Sequence, residues 1–328
     1  MKVLVTGGAG YIGSHTAKAL ALAGHEPIVL DDLRTGYAEN VRWGPLVRAR
    51  LDDPPAIRAA LEGHGVEAVV HFAASAYVGE SMRQPVAYFR NNVGNTLNLL
   101  EAMLATGVGT IVFSSSCATY GVPESTPITE ATAQRPVNPY GESKVIVERM
   151  LRWIGEIHGV RWMALRYFNA AGADPDGELG EAHDPETHLV PLAIAAALGG
   201  PRLVVFGTDY PTRDGTAVRD YVHVSDLADG HVAALVALVG GGPSGGYNLG
   251  TGVGHSVSDV VDSVERATGR AVPRDLAPRR PGDPPILVAD PSAASRVLGW
   301  QPRHPTLDSI VETAAAWAAR RRAAVPRI

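Results

Sequence analysis

The chain opens with a short apolar run, Val3-Leu4-Val5, that passes into Thr6-Gly7-Gly8-Ala9-Gly10-Tyr11-Ile12-Gly13-Ser14 and on through a helix-period segment, Ile12 to Leu22. No other stretch restricts the fold as much. A run without a polar face is a strand buried on both sides, and a glycine-rich turn between such a strand and a helix is the first crossover of a parallel sheet. Ile28-Val29-Leu30, Val66 to Phe72 and Ile111-Val112-Phe113 read as further strands, with Pro85 to Leu104 as a helix before the last of these. Gly24 and Gly107 stand where glycines end helices. Right-handed crossovers wind such helices onto both faces, which predicts an α/β fold with a Rossmann-type doubly wound parallel sheet.

From about Asn169 the texture changes. Asn169 to Glu186 is rich in Gly, Asp, Pro and Ala without periodicity, a length of loop that is usually functional or disordered. Beyond it the periodicity predicts helices at His188–Leu198, Ser225–Val239, Val257–Thr268 and Leu307–Arg320, interleaved with short strands. The expected division is residues 1–168 as the doubly wound domain and 169–328 as a smaller mixed α/β domain, some of whose segments return to the first sheet.

Composition narrows the function. In 328 residues, 29 Lys+Arg against 34 Asp+Glu leave a net charge of -5, which is no footprint for nucleic acid or an anionic membrane surface. The single Cys117 forms no intramolecular disulfide and reads as a small buried thiol. The 11 His show no H-E-x-x-H or comparable metal-ligand run, so no metal is expected. Nothing approaches the ~20 apolar residues of a membrane span, and the reading is a soluble cytoplasmic protein acting on small molecules.

Backbone N–H groups of Gly7, Gly10 and Gly13 and the helix that follows can receive a pyrophosphate. Asp31 stands 18 residues after Gly13 at the end of its strand, where a carboxylate accepts ribose hydroxyls and repels a 2′-phosphate. NAD is thereby favoured over NADP, although Arg34 lies close enough to hold a phosphate. In Asn138-Pro139-Tyr140-Gly141-Glu142-Ser143-Lys144, Asn138 is an N-cap and Pro139 a first helical residue, so Tyr140 and Lys144 share one face. An ammonium beside a phenol is expected to lower the phenol pKa and let Tyr140 exchange a proton at neutral pH. Ser114-Ser115-Ser116 places hydroxyls at a strand exit, in the ligand crevice of an open sheet.

With His71-Phe72-Ala73-Ala74, Arg166-Tyr167-Phe168-Asn169, Gly207-Thr208-Asp209-Tyr210-Pro211-Thr212-Arg213-Asp214-Gly215-Thr216, the Arg219 segment and Arg279-Arg280-Pro281-Gly282-Asp283, these motifs resemble the extended short-chain dehydrogenase/reductase family, within it the UDP-glucose 4-epimerases, over essentially the whole chain. The resemblance implies an NAD site formed by Gly7, Gly10, Tyr11, Ile12, Gly13, Asp31, Asp32, Leu33, Thr35, Leu51, Phe72, Ala73, Ala74, Asn91, Ser114, Tyr140, Lys144 and Phe168. It implies Tyr140 as acid/base, Lys144 as its activator and ribose contact, and Ser116 as the hydroxyl on the sugar O4. Asn169, His188, Leu189, Phe206, Arg219, Arg280, Asp283 and Leu287 match positions around the UDP-sugar, which makes 169–328 mainly the UDP-sugar-binding domain. The implied reaction inverts C4 of a UDP-hexose through a transient 4-keto sugar, in a homodimer whose Pro85–Leu104 and Pro139–Glu156 segments pair.

Two departures bear on cofactor affinity. Arg50, in Ala49-Arg50-Leu51, stands where relatives have an Asp that accepts from adenine, and so either stacks on the ring or turns outward; Ala76 replaces a Lys of some relatives. A sugar-nucleotide 4,6-dehydratase would carry an Asp-Glu pair where this chain has Cys117-Ala118, and a non-catalytic NAD-sensing protein would not need Tyr140, Lys144 and Ser116 together.

Overall fold

A computed structural model of the chain describes residues 1–280 and 282–324; Pro281 of the Arg279–Asp283 motif and residues 325–328 lie outside the described residues. In chain order the first part contains β1 (Lys2–Thr6), α1 (Tyr11–Leu22), β2 (Glu26–Asp31), β3 (Leu46–Arg48), α2 (Pro54–His64), β4 (Ala68–His71), α3 (Val78–Ser81), α4 (Pro85–Tyr88), α5 (Asn95–Thr106), β5 (Thr110–Ser114), α6 (Pro139–His158) and β6 (Arg161–Tyr167). There follow β7 (Asn169–Ala171), α7 (Leu189–Ala197), β8 (Leu203–Phe206), β9 (Val218–His223), α8 (Val224–Val239), β10 (Gly245–Leu249), β11 (Gly254–Ser256), α9 (Val257–Thr268), β12 (Arg274–Ala277), β13 (Ile286–Leu287), α10 (Ser292–Leu298) and α11 (Leu307–Ala324).

Seven strands form one parallel sheet in the order β10-β6-β5-β4-β1-β2-β3, the doubly wound architecture expected. Period-2 alternation sends its apolar residues to two cores. Leu4, Ile28, Leu30, Val69, Ile111 and Phe113 meet Ile57 and Leu61 of α2, Leu99 and Met103 of α5, and Val147 and Leu151 of α6. Val3, Val5, Val70, Val112, Met163 and Leu165 meet Leu20 of α1 and Leu227, Leu235 and Leu238 of α8. Full burial of each such side chain is worth about 1.5–3 kcal/mol, which is why none of these strands carries a polar face.

Past residue 168 the chain divides its service. β10, α8 and α10 join the first sheet and its second core. β9 pairs with β7, β11 and β13, β8 pairs with β12, and α7, α9 and α11 enclose a third core around Val190, Ile194, Val260, Val264 and Ile310.

Several elements depart from the periodic reading. Pro85–Leu104 is not one helix: α4 ends at Tyr88, Phe89–Gly94 is a π turn, and α5 runs on to Thr106. The cause is lateral, since the Asn92 amide donates to Ser75 O (3.0 Å) and Ser143 Oγ (3.0 Å) and widens the helix toward α6. α2 escaped the reading, although Asp53 caps it (Ala56 N to Oδ1, 3.2 Å) and Gly65 ends it at φ +62°. The first three residues of the 169–186 stretch are strand β7.

Candidate active site

Thr6, Asp31, His71, Ser114 and Tyr167 are the last residues of β1, β2, β4, β5 and β6, so they share the carboxyl edge of the sheet, where open parallel sheets bind ligands. At that edge Gly7 adopts φ +73°, and a Cβ on it would come 2.7 Å from Ala73 N. The turn therefore seats against β4. A Cβ on Gly10 would meet only Gly7 O, at 3.3 Å among the described residues, so the turn is open on that side. Gly10 is also the N-cap of α1 and has no side chain to satisfy the first-turn N–H groups of Tyr11, Ile12 and Gly13. Such a helix end receives an anion. These residues fit a dinucleotide pyrophosphate.

Asp31 accepts from Ala9 N (3.0 Å) and Leu33 N (2.8 Å), the latter residue at φ +61°. Burial pushes the Asp31 carboxyl up while those two N–H groups pull it down. The neighbouring Asp32 holds Arg34 (2.6 Å), which also donates to Asn91 Oδ1 (3.2 Å), so Arg34 is committed to its neighbours. Thr35 lies just beyond, exposed. Arg50 resolves toward solvent: its side chain is 53% exposed and paired with Asp52. Leu51 and Ala73 pack with the first core, Phe72 lies against His231 at 4.6 Å, and Ala74 follows at the β4 exit. Asn91 sits in the π turn with its amide on Ser75 Oγ (3.2 Å).

Asn138 caps α6 by accepting from Gly141 N (2.8 Å), and Pro139 is the first helical residue. A Cβ on Gly141 would stand 2.5 Å from Ala118 O, so only glycine lets α6 close on the Cys117–Tyr120 turn. That contact sets Tyr140 near Ser116, whose hydroxyl accepts from Ala118 N (3.1 Å) and tempers the rise of the phenol pKa. Lys144 Nζ donates to Ser114 O (2.8 Å), lies 4.8 Å over the Phe113 ring and 5.7 Å from the centre of the Tyr140 ring. Ser114 Oγ shares a 2.6 Å hydrogen bond with Tyr167 OH.

The expected electrostatics are reversed in the cofactor-free chain. Tyr140 and Lys144 are 8% and 3% exposed. Burial pushes the phenol well above its ordinary value, helped by Tyr167 and opposed by Ser116, while Lys144 falls from 10.5 to about 7, opposed by Glu148. Desolvation outweighs proximity because the ammonium is aimed at a carbonyl and not at the phenol oxygen.

α6 is held by Glu148, one turn beyond Lys144. Arg166 donates to it twice at its ends (Nε to Oε1 3.0 Å, Nη2 to Oε2 2.6 Å), and Ser115 Oγ (2.5 Å) and Gln134 Nε2 (2.9 Å) complete its acceptors. Arg166 also donates to Tyr120 OH (2.9 Å), which reaches Asn248 Oδ1 (2.7 Å).

Across the crevice, Arg219 of β9 pairs with Asp283, and Arg280 stacks on Phe206 at 4.1 Å. Arg219 and Asp283, both of which match positions around a UDP-sugar, neutralise one another in the ligand-free chain. Leu287 is in register with Arg219 and, like Cys117, packs against the cluster of Tyr120, Ile128, Phe168 and Ala289. This brings the β13 end of the second sheet and the residue after Ser116 onto one cluster. Burial pushes the Cys117 thiol up to about 12, as an inert thiol requires. Asn169 opens β7 beside Tyr221. Leu189 packs in the third core, and His188, the N-cap of α7, is bound to Glu181 (2.7 Å) and Glu186 (2.9 Å). Burial opposes its charge, yet the two carboxylates carry His188 up to about 10. Sequence reading missed Glu148, Tyr167, Glu181, His183 and Glu186; only the E-x-H-x-x-E-x-H spacing of residues 181–188 offered a local signal.

The Lys144 shift has a testable sign. The unfolded chain keeps this proton to about 10.5 and the folded chain releases it near 7, so folding stability rises with pH between those limits, by about 1.4 kcal/mol per pH unit at most. Lys144→Met removes that slope. Urea denaturation of the cofactor-free proteins should show the variant gaining most on wild type at pH 7 and below, with the gain shrinking toward pH 9.5; the lost bond to Ser114 O is only a constant offset. A difference independent of pH would contradict the buried ammonium.

Residues 3–250 match the NAD dependent epimerase/dehydratase family. A UDP-glucose 4-epimerase of Rhizobium meliloti (strain 1021) is 50% identical over 320 residues, 97% of each chain. The crystal structure of UDP-glucose 4-epimerase from Brucella ovis in complex with NAD superposes with a TM-score of 0.94 at 53% identity, covering 96% of this chain and 97% of that one. UDP-glucose-4-epimerase from Stenotrophomonas maltophila, with bound NAD and formylated UDP-arabinopyranose, gives 0.96 at 40% identity over 99% and 100%. The similarity runs over nearly the whole chain, and the chain belongs to the NAD dependent epimerase/dehydratase family.

Proposed function

We infer that this chain is an NAD-dependent enzyme that epimerises UDP-hexoses at C4, interconverting UDP-glucose and UDP-galactose. The observation that carries the reading is the closure of Gly141 on Ala118, which brings Tyr140 and Lys144 to the strand end that carries Ser114 and Ser116, at the sheet edge whose glycine turn fits a dinucleotide. Gly7, Gly10, Gly13, Asp31 and Lys144 would hold NAD, which would supply the acceptor for the C4 hydrogen with its electron pair and the donor for its return. Ser116 orients the sugar O4 and Tyr140 receives the hydroxyl proton, then gives it back. Lys144, fixed on Ser114 O, stays within charge range of the phenol ring.

Inversion requires the oxidised sugar to present its other face, so the ring must be loosely held and the binding must lie in the UDP. The stacked Phe206–Arg280 pair and the Arg219–Asp283 pair offer an aromatic face and charge for that end; a diphosphate competes with Asp283 for Arg219 and frees the carboxylate for ribose hydroxyls. Elimination of water, the dehydratase alternative, has no acid/base pair at Cys117-Ala118. A partly buried thiol held protonated does not substitute for one. A single Cys and nucleotide substrates suit a reducing cytoplasm, and among the described residues no helix is long and apolar enough to cross a membrane.

Tyr140→Phe keeps the ring and removes the proton. kcat for UDP-galactose should fall by roughly 100-fold or more, with UDP affinity unchanged by calorimetry; near-normal turnover would remove Tyr140 from the reaction.

Leu287, packed against the cluster that holds Phe168 and Tyr120, is proposed to border the C2 substituent of the sugar. Leu lacks the reach of a phenol, so N-acetylated UDP-hexoses should turn over more slowly than the plain pair but measurably. Leu287→Tyr should lower kcat/KM for the N-acetylated pair selectively, within the ~10–200-fold that one apolar contact discriminates. Equal loss for both pairs would assign Leu287 to packing alone.

A homodimer is supported by adjacent outer faces of α4, α5 and α6, where Val86 (66%), Leu97 (44%), Trp153 (55%) and Ile157 (68%) are exposed. Burying such a patch against a second copy is favourable. Light scattering should give twice the mass of one chain, falling to one chain in Trp153→Glu/Ile157→Glu; a monomeric wild type would contradict it.

A further inference from the structure

We propose that Glu181, His183, Glu186 and His188 form a binding site for one divalent transition-metal ion of the zinc class. The four residues lie on the strap that leads into α7, and one donor atom from each falls within 4.8 Å of all the others. His183 Nδ1 and His188 Nδ1 both face Glu181 Oε1, at 2.9 and 2.7 Å; His188 Nδ1 is 2.9 Å from Glu186 Oε1, and His183 Nδ1 is 3.9 Å from Glu186 Oε2. Tetrahedral zinc with bonds of ~2.0–2.1 Å spaces its ligands about 3.3 Å apart. The observed separations bracket that spacing, so an ion enters with small movements of side chains. Two imidazoles with two carboxylates are a donor set for zinc or its late first-row neighbours and not for magnesium or calcium, which take oxygen shells.

The surroundings hold these ligands in place. Glu181 is 7% exposed in its side chain, and the rings of Tyr11 and Tyr77 stand edge-on to His183 at 6.0 and 6.1 Å. The strap backbone is pinned on both sides, by Tyr37 OH on Ala182 O (2.9 Å) and Trp317 Nε1 on Glu181 O (3.0 Å), while Glu186 Oε1 accepts from His188 N (2.8 Å). Such outer contacts are what orient metal ligands. A nearby carboxylate group gives the contrast. Asp174, Asp176 and Glu178 converge on Lys18 Nζ at 2.8, 2.9 and 2.7 Å, so a lysine already supplies their cation. Among the described residues no Lys or Arg is paired with Glu181 or Glu186. A bound ion would tie the N-cap of α7 to the strap beside Tyr11, fixing the entrance between the dinucleotide turn and the UDP end.

The test uses untagged, chelator-treated full-length protein titrated with Co2+ and followed by its visible absorption. One Co2+ per chain with the intense bands of tetrahedral coordination, displaced by Zn2+ and not by millimolar Mg2+, is expected, together with a higher Tm in Zn2+. His183→Asn and Glu181→Gln should each weaken binding on the order of 100-fold, whereas Asp176→Asn should bind as wild type. Absence of saturable uptake by the wild-type chain, or uptake that both ligand substitutions leave unchanged, would overturn the proposal; the wild-type titration alone can do so even where a variant fails to fold.

Discussion

The buried ion pair of Glu148 with Arg166 fixes where the chemistry can happen. Glu148 is 4% and Arg166 8% exposed, and removing one partner of such a pair costs about 3–5 kcal/mol because the other is left charged in the interior. The chain accepts that exposure to loss because the pair sets the roll of α6 about its own axis. With Glu148 tied to β6 through Arg166 and to β5 through Ser115, Lys144 one turn earlier must face Ser114 and Tyr140 must face Ser116. Gly141 then decides how near the helix comes. Tyr120 and Asn248 extend the same network to the edge strand β10, so the second half of the chain is fastened to the site it completes.

Burial is the second organising force. It holds Tyr140 protonated and brings Lys144 to about 7 in the cofactor-free chain, a site with little charge of its own. A cationic ring entering such a site acts through a low dielectric and is felt strongly. The second sheet is built on the opposite plan, with Arg219 paired to Asp283 and Arg280 stacked on Phe206.

What was legible in the sequence was local. Gly7-Gly8-Ala9-Gly10, Asp31 at a strand end, and Asn138-Pro139 ahead of Tyr140 each declare their geometry within a few residues, and the sheet follows from runs with no polar face. What was not legible depends on distance along the chain. Lys18 meets Asp174 at a separation of 156 residues, Arg219 meets Asp283 at 64, and Asn92 bends its helix through Ser75 and Ser143. The spacing of Tyr140 and Lys144 showed that they share a face but not that burial would outweigh their proximity. Glu181, His183 and Glu186 lie within eight residues of His188 and were still passed over, because their convergence is made by the turn of the strap and not by helical spacing.

The central claim is that the C4 hydrogen leaves the sugar and returns to the same carbon of the same molecule. Purified protein with NAD and UDP-galactose deuterated at C4 tests it directly, with the sugar followed by NMR. The account predicts UDP-glucose that keeps deuterium at C4 and no net change in the cofactor. Conversion with the label lost to water, or no conversion at all, would contradict it.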